Sequence, residues 1–350
     1  MEVDLVYTWC DDSDPKWRAK RVATAERFGI ASDPVRNGAC RYRGGDMIRY
    51  SLRSAFKSVP WVHTIHVVVD DDQTAPDWPE FGDARVRFVR HSEIMPAEIL
   101  PCFSSVIIEH HLARIPGLAP RFLYANDDTF FWGDVRESFF FAADGYPHFR
   151  YGSRRRATNA AEADYHCRLD AADALLRERY GMKPGRHSMI GRLPHHNVDA
   201  YVTADYAACR AEFDVEIAAE LTFPFRNPKL VQRALYAGYA LAVGHGHFRR
   251  STFNTKVGAG WWRRLLPSWA DSLQIVPGRW RQGPDLIARF RPKLVCFNDG
   301  PATTDADFAW LHDYLADMFD KSAYDSARQP RRQALAGEKG SHEVTKKQVT

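Results

Sequence analysis

The stretch Arg121-Phe122-Leu123-Tyr124-Ala125-Asn126-Asp127-Asp128 decides how the chain folds. An apolar run too short for a helix passes straight into residues that favour turns, the pattern of a buried strand feeding a loop. The same pattern recurs upstream. Val3 to Trp9 runs into Asp11-Asp12-Ser13-Asp14-Pro15, and Thr64 to Val69 stops at Asp70-Asp71-Asp72. Arg85 to Val89 is a further strand candidate, and late in the chain Lys293 to Phe297 runs into Asn298-Asp299-Gly300. Between them, Met47, Ile48, Leu52, Ala55 and Phe56 recur at helical spacing, so Met47 to Ser58 reads as a helix ended by Pro60-Trp61. Ser104 to Ile115 also reads as helical. This alternation predicts an α/β fold with a mostly parallel central sheet. Ligands of such sheets bind beyond the carboxyl ends of the strands, where the acidic clusters fall.

From there outward the signal weakens. Gly152 to Arg192 is rich in Arg, Ala and Glu and reads as helices with loops. Asp205 to Leu221 and Pro228 to Leu241 read as further helices. The expectation is one α/β domain over residues 1–325, with a helical insertion at about 150–250. Trp261, Trp262, Trp269 and Trp280 show no clear period, and the polar stretch 326–350 reads as disordered.

Composition excludes several classes. Over 350 residues, 48 Lys and Arg face 44 Asp and Glu, a balance that gives no reason to expect nucleic acid as a partner. The six cysteines form no CxxC pair, which argues against a zinc site and for reduced thiols. The N-terminus has no signal-peptide pattern, and no window approaches the ~18 apolar residues of a membrane span. The expectation is a cytoplasmic protein, at most peripheral to the inner face of a membrane.

Four groups of residues could carry chemistry. Asp127 and Asp128, adjacent at a strand end, can hold a hard divalent ion and through it a diphosphate, although Asn and Asp also favour plain turns. Asn298-Asp299 could face the same ion from a second strand. Arg49 and Arg53, with Arg41 and Arg43 nearby, share a helix face and suit phosphates, as they would suit a solvated basic face. His195 and His196 follow Pro194 and offer a general base, among 14 histidines of which most need have no such role. Arg226 stands just before a helix, where it could equally be structural.

Taken in order, these residues resemble the conserved blocks of the Stealth family, the bacterial capsule-polymer phosphotransferases and the lysosomal-enzyme N-acetylglucosamine-1-phosphotransferase. The first block is Asp4-Leu5-Val6-Tyr7-Thr8-Trp9 with Asp12-Ser13-Asp14-Pro15. The second runs from Arg41-Tyr42-Arg43 through Ile48 to Ser54 and on to Asn126-Asp127-Asp128. The third spans His196 to Phe225-Arg226, and the fourth is Cys296-Phe297-Asn298-Asp299. The resemblance implies a glycosyltransferase-A-like, Rossmann-like nucleotide-sugar fold. It implies transfer of a hexose 1-phosphate, of the N-acetylhexosamine type, from a UDP-sugar to a hydroxyl of a glycan acceptor, with Mg²⁺ or Mn²⁺ and release of UMP.

Residue by residue, the resemblance points to His196 and Arg226 as catalytic. It points to Asp128, Asn298 and Asp299 as metal ligands, and to Trp9, Asp14, Arg49, Arg53, Ser104 and Asp127 as substrate contacts. His196 lies 30 residues before Arg226 (226 − 196), the family spacing, whereas alignment on the Pro-His pair favours His195. Two departures stand out. Val198 replaces a proline, and Cys102-Phe103-Ser104-Ser105 replaces Thr-Phe-Asn-Ser, a change that bears on sugar specificity. The competing readings are a glycosyltransferase of the same fold that releases UDP and a non-catalytic binder of nucleotide sugars or glycans.

Overall fold

The computed structural model describes residues 1–30, 37–157, 159–219, 221–227, 231, 233–251 and 270–319. The expectations for Trp261, Trp262, Trp269 and the tail from residue 326 lie outside these.

The central sheet is built from β1 (Val3–Thr8), β2 (Ile65–Val69), β3 (Val86–Arg90), β4 (Arg121–Asn126) and, much later in the chain, β8 (Asp199–Val202). Their order is β3-β2-β1-β4-β8. The first four are parallel, and β8 closes the edge antiparallel to β4. β1 and β2 are buried along their whole length, as parallel strands covered on both faces must be. Alternate side chains serve opposite faces. Leu5, Tyr7, Val67 and Val69 pack under Ile48, Leu52 and Phe56 of the helix Met47–Ser58. Val6, Val68, Phe122 and Tyr124 face a second core with Val106, Ile107, Tyr206 and Tyr236.

Two short sheets flank this one. β5 (Thr129–Phe131) follows the acidic turn directly and pairs antiparallel with β11 (Leu294–Phe297), which pairs parallel with β10 (Ser272–Ile275). β6 (His148–Arg154) lies between β7 (Arg192–Pro194) and β9 (His247–Arg250).

Three expectations are corrected. Ser104 to Ile115 is not one helix: an α-turn over Ser105–Glu109 gives way to a 3₁₀ turn at Leu112–Arg114. The break falls where the His110 ring is bonded to the Val231 carbonyl and the Tyr236 hydroxyl. Asp205 to Leu221 divides at Phe213 into Thr203–Glu212 and Asp214–Ala218. The segment 150–250 is more than a helical insertion. Its 21-residue helix Ala160–Tyr180 is capped by Asn159 and stopped by left-handed Gly181, but the segment also supplies β7, β8, β9 and most of β6.

Candidate functional site

Parallel pairing aligns Thr8 at the end of β1 with Asn126 at the end of β4, so both strands deliver their loops to one edge. Tyr124 ties that edge together. Its hydroxyl meets Thr8 Oγ1 at 2.8 Å, Asn126 Oδ1 at 3.0 Å and Glu109 Oε1 at 3.0 Å. After Asp128 the chain turns into β5, whose partner β11 lays the fourth sequence block alongside. The Phe297 N–H donates to the Asp128 carbonyl at 3.1 Å. This pairing brings Asn298 and Asp299 to Asp127 and Asp128 from 170 residues away in sequence (298 − 128).

His196 sits on the link between β7 and β8, held on both sides. The His195 N–H donates to the Arg150 carbonyl at 3.0 Å, and the Asn197 amide donates to the Leu273 carbonyl at 3.2 Å. The two histidines separate here. His195 is buried and bonded to Asp199 at 2.8 Å, which in turn holds Arg233 at 2.9 Å. His196 faces the cavity, 3.4 Å from the Asn298 amide nitrogen. Arg226 reaches the same wall because Phe225 stacks on Phe103 at 5.2 Å, and its guanidinium donates to Ser105 Oγ at 3.1 Å.

These side chains surround a cavity of about 190 Å³ lined by Trp9, Asp127, Asp128, His196, Arg226 and Asn298, among others. Burial and the neighbouring carboxylate push Asp127 up to about 7, and burial pushes Asp128 up to about 6. Burial, with Arg233 close by, pushes the His196 imidazole down to about 3. Arg226 is lowered to about 10 by burial and by Arg41, and stays cationic. An acidic corner and a cationic corner thus meet at His196, the arrangement expected where a cation and phosphates are bound together.

Other expected residues are not brought here. Arg49 and Arg53 are turned to the fully buried Glu80, at 3.3 and 2.6 Å, and neither lines the cavity. Arg41 and Arg43 line it instead. Asp14 caps the helix Pro15–Arg27, accepting from the Lys16 N–H at 2.8 Å. Ser104 is buried, and its neighbour Ser105 is the one exposed to the cavity. The Asp299 carboxylate is held bidentately by Arg43 at 3.1 and 3.2 Å. Cys296 went unread as a site residue. Its thiol donates to Asp128 at 3.4 Å, and ligand atoms of Asp128, His196 and Cys296 lie within 4.8 Å of one another. All six cysteines are free.

Residues 1–29 match Stealth protein CR1, conserved region 1, and residues 41–149 match Stealth protein CR2, conserved region 2. An exopolysaccharide phosphotransferase of Nocardia farcinica is 30% identical over 312 residues, covering 86% of this chain and 55% of that one. Exopolysaccharide phosphotransferase SCO2592 of Streptomyces coelicolor is 35% identical over 184 residues, covering 51% and 19%. This chain thus spans from about a fifth to just over half of these curated relatives. Among solved structures, the galactosyltransferase LgtC in complex with donor and acceptor sugar analogues aligns over 90% of this chain and 95% of its own, with a TM-score of 0.42 and 11% identity.

Proposed function

The chain belongs to the Stealth family, and on that premise we propose that it transfers a hexose 1-phosphate from a UDP-sugar to a hydroxyl of a glycan acceptor, releasing UMP. One observation carries the reading: His196, Arg226, Asn298 and the Asp127-Asp128 pair, from four separate parts of the sequence, line one cavity. N-acetylhexosamine 1-phosphate is the sugar phosphate the family resemblance favours.

The residues fit a divalent cation. Asp128 Oδ1 is buried with no hydrogen-bond partner among the described residues, and a second acid crowds it. Asp128 and Asn298 would hold the ion. Asp299 is already engaged by Arg43, and the Cys296 thiol, pushed well up by burial, is a poor ligand for a hard cation. Bound Mg²⁺ or Mn²⁺ would neutralise charge on the donor diphosphate.

The protein's own groups divide the remaining work. Arg226 and Arg41 bind the phosphoryl oxygens and stabilise the charge spread over them in the transition state. His196 Nε2 accepts the proton of the acceptor hydroxyl as that oxygen bonds to the phosphorus bearing the sugar. The bond from this phosphorus to the UMP oxygen breaks, and the anomeric bond stays intact. Burial keeps His196 neutral and ready to accept, while the incoming diphosphate opposes the cations that now depress its basicity.

Substitution His196→Ala is expected to lower turnover by about 10²–10⁴-fold with donor affinity kept. The leaving nucleotide decides the reaction. UMP supports phosphotransfer, whereas UDP would overturn it in favour of glycosyl transfer.

A further inference from the structure

The wall formed by His196, Arg226, Asn126 and Asn298 has a second side. Beyond it, away from Asp127 and Asp128, lies a larger chamber of about 580 Å³. The larger chamber lies well inside the ~300–1,000 Å³ range of ordinary ligand pockets. His196 and Arg226 line both, so a group bound in either chamber can reach them.

The larger chamber is unusually cationic. Arg41, Arg156, Arg168, Arg226, Arg233 and Arg279 line it, against three carboxylates, Glu109, Glu162 and Asp299. Glu109 pairs with Arg233 at 3.4 Å, and Asp299 with Arg43 at 3.1 Å. Arg168 is matched by Asp164 at 2.5 Å. Arg156, Arg226 and Arg279 form no ion pair with a carboxylate among the described residues. Arg226 belongs to the shared wall. Arg156 and Arg279 belong to the larger chamber's own lining, one just before the helix Ala160–Tyr180 and one just after β10. Half-buried Tyr165 adds an aromatic surface between polar groups, the combination that packs a sugar ring and fixes its hydroxyls.

We propose that this larger chamber is the acceptor site and that it selects a glycan already carrying an oxyanion, phosphate or carboxylate, at Arg156 and Arg279. The proposal rests on the smaller chamber being the donor side. A donor bound there places its phosphates at the shared wall, and a hydroxyl presented from the larger chamber meets His196 from the opposite direction. Arg156 and Arg279, away from the acidic corner, are surplus to the donor's needs and free to select the acceptor.

The test is calorimetric titration of the full chain with Mn²⁺ and saturating UDP. Three probes are compared: a neutral galactose oligomer, an oligogalacturonate of equal length, and the same galactose oligomer bearing a 6-phosphate. At least one anionic probe is expected to bind about tenfold or more tightly than the neutral one, with the margin shrinking as salt is raised. Comparing the two anionic probes shows whether phosphate or carboxylate is preferred. Arg156→Gln and Arg279→Gln should each weaken the anionic probe about five- to tenfold and leave UDP affinity unchanged. Equal binding of neutral and anionic probes, or unchanged anion affinity in both variants, would overturn the proposal. Failure of the wild type to bind UDP would instead count against the donor reading, and the probes titrated without UDP still report on the larger chamber.

Discussion

Gly44 shows how much one position can control in this site. A Cβ placed there would come closer than 3.0 Å to Asp127 Oδ2, so the missing side chain is what lets the carboxylate lie where it does. Gly44→Ala should swing that carboxylate aside, because the atom it meets is the mobile end of a side chain. The expected result is about a tenfold loss of activity and a weaker Mn²⁺ requirement curve, with Tm lowered by no more than about 2–4 °C. An unchanged metal titration would show that Asp127 takes no part in binding. Glu80 makes the complementary case, because it is what holds Arg49 and Arg53 in the fold. Two arginines on one helix face look the same in sequence whether they await a phosphate or clasp a buried acid. Only the fold reveals Glu80, fully buried some 30 residues downstream, between them. Glu80→Gln should cost about 3 kcal/mol of stability in urea unfolding, since it strands the buried Arg53 charge, and should leave the KM for the UDP-sugar alone. A tenfold rise in that KM on Arg49→Gln would restore the arginine to the donor site.

The elements that were legible in sequence are those whose burial is written in consecutive residues. β1, β2 and β4 are mainly apolar, almost wholly buried and run on into acidic loops, and the structure places each within two residues of the expected bounds. β5 escaped notice because its three residues follow the acidic turn without a break. The small sheet of β6, β7 and β9 escaped because its pairing, His148 with His247, joins residues about a hundred positions apart. No local pattern reports such a contact. The same holds for the site: the acidic turn was readable, but its approach to Asn298 depends on β5 meeting β11. That pairing is therefore the element to test. Phe297 is fully buried in β11, with its ring 6.0 Å from Phe130 and 6.3 Å from Trp280. Phe297→Ala should cost about 3–5 kcal/mol and reduce activity well below the unfolding temperature, as the strand carrying Asn298 loosens. If activity per folded molecule stayed at the wild-type level, β11 would be support for the fold alone.

At the scale of the whole molecule, the central sheet buries ionisable groups on its helical side as well as at the site, and their protons couple folding to pH. No described helix is long and apolar enough to cross a membrane. His110 is the clearest of the buried groups. Its ring lies between the Tyr236 hydroxyl at 2.6 Å and the Val231 carbonyl at 2.8 Å, so the neutral form satisfies one acceptor and one donor. Burial, helped by Arg210, lowers it to about 4 from an unfolded value of 6.5. The folded chain therefore binds fewer protons at this residue than the unfolded chain below pH 6.5. What His110 contributes is present in full above that pH and falls by about 1.4 kcal/mol per pH unit down to about pH 4. Asp127 and Asp128, raised rather than lowered, act in the opposite sense over part of the same range, so the raw stability curve mixes the two. Subtraction separates them. His110→Gln should be destabilising at pH 7.5, and its deficit relative to the wild type should narrow by about 2 kcal/mol at pH 5, read from urea midpoints at each pH. A deficit constant across that range would mean that His110 is protonated as readily in the folded chain as in the unfolded one, and that burial at this helix break is shallower than its two hydrogen bonds imply.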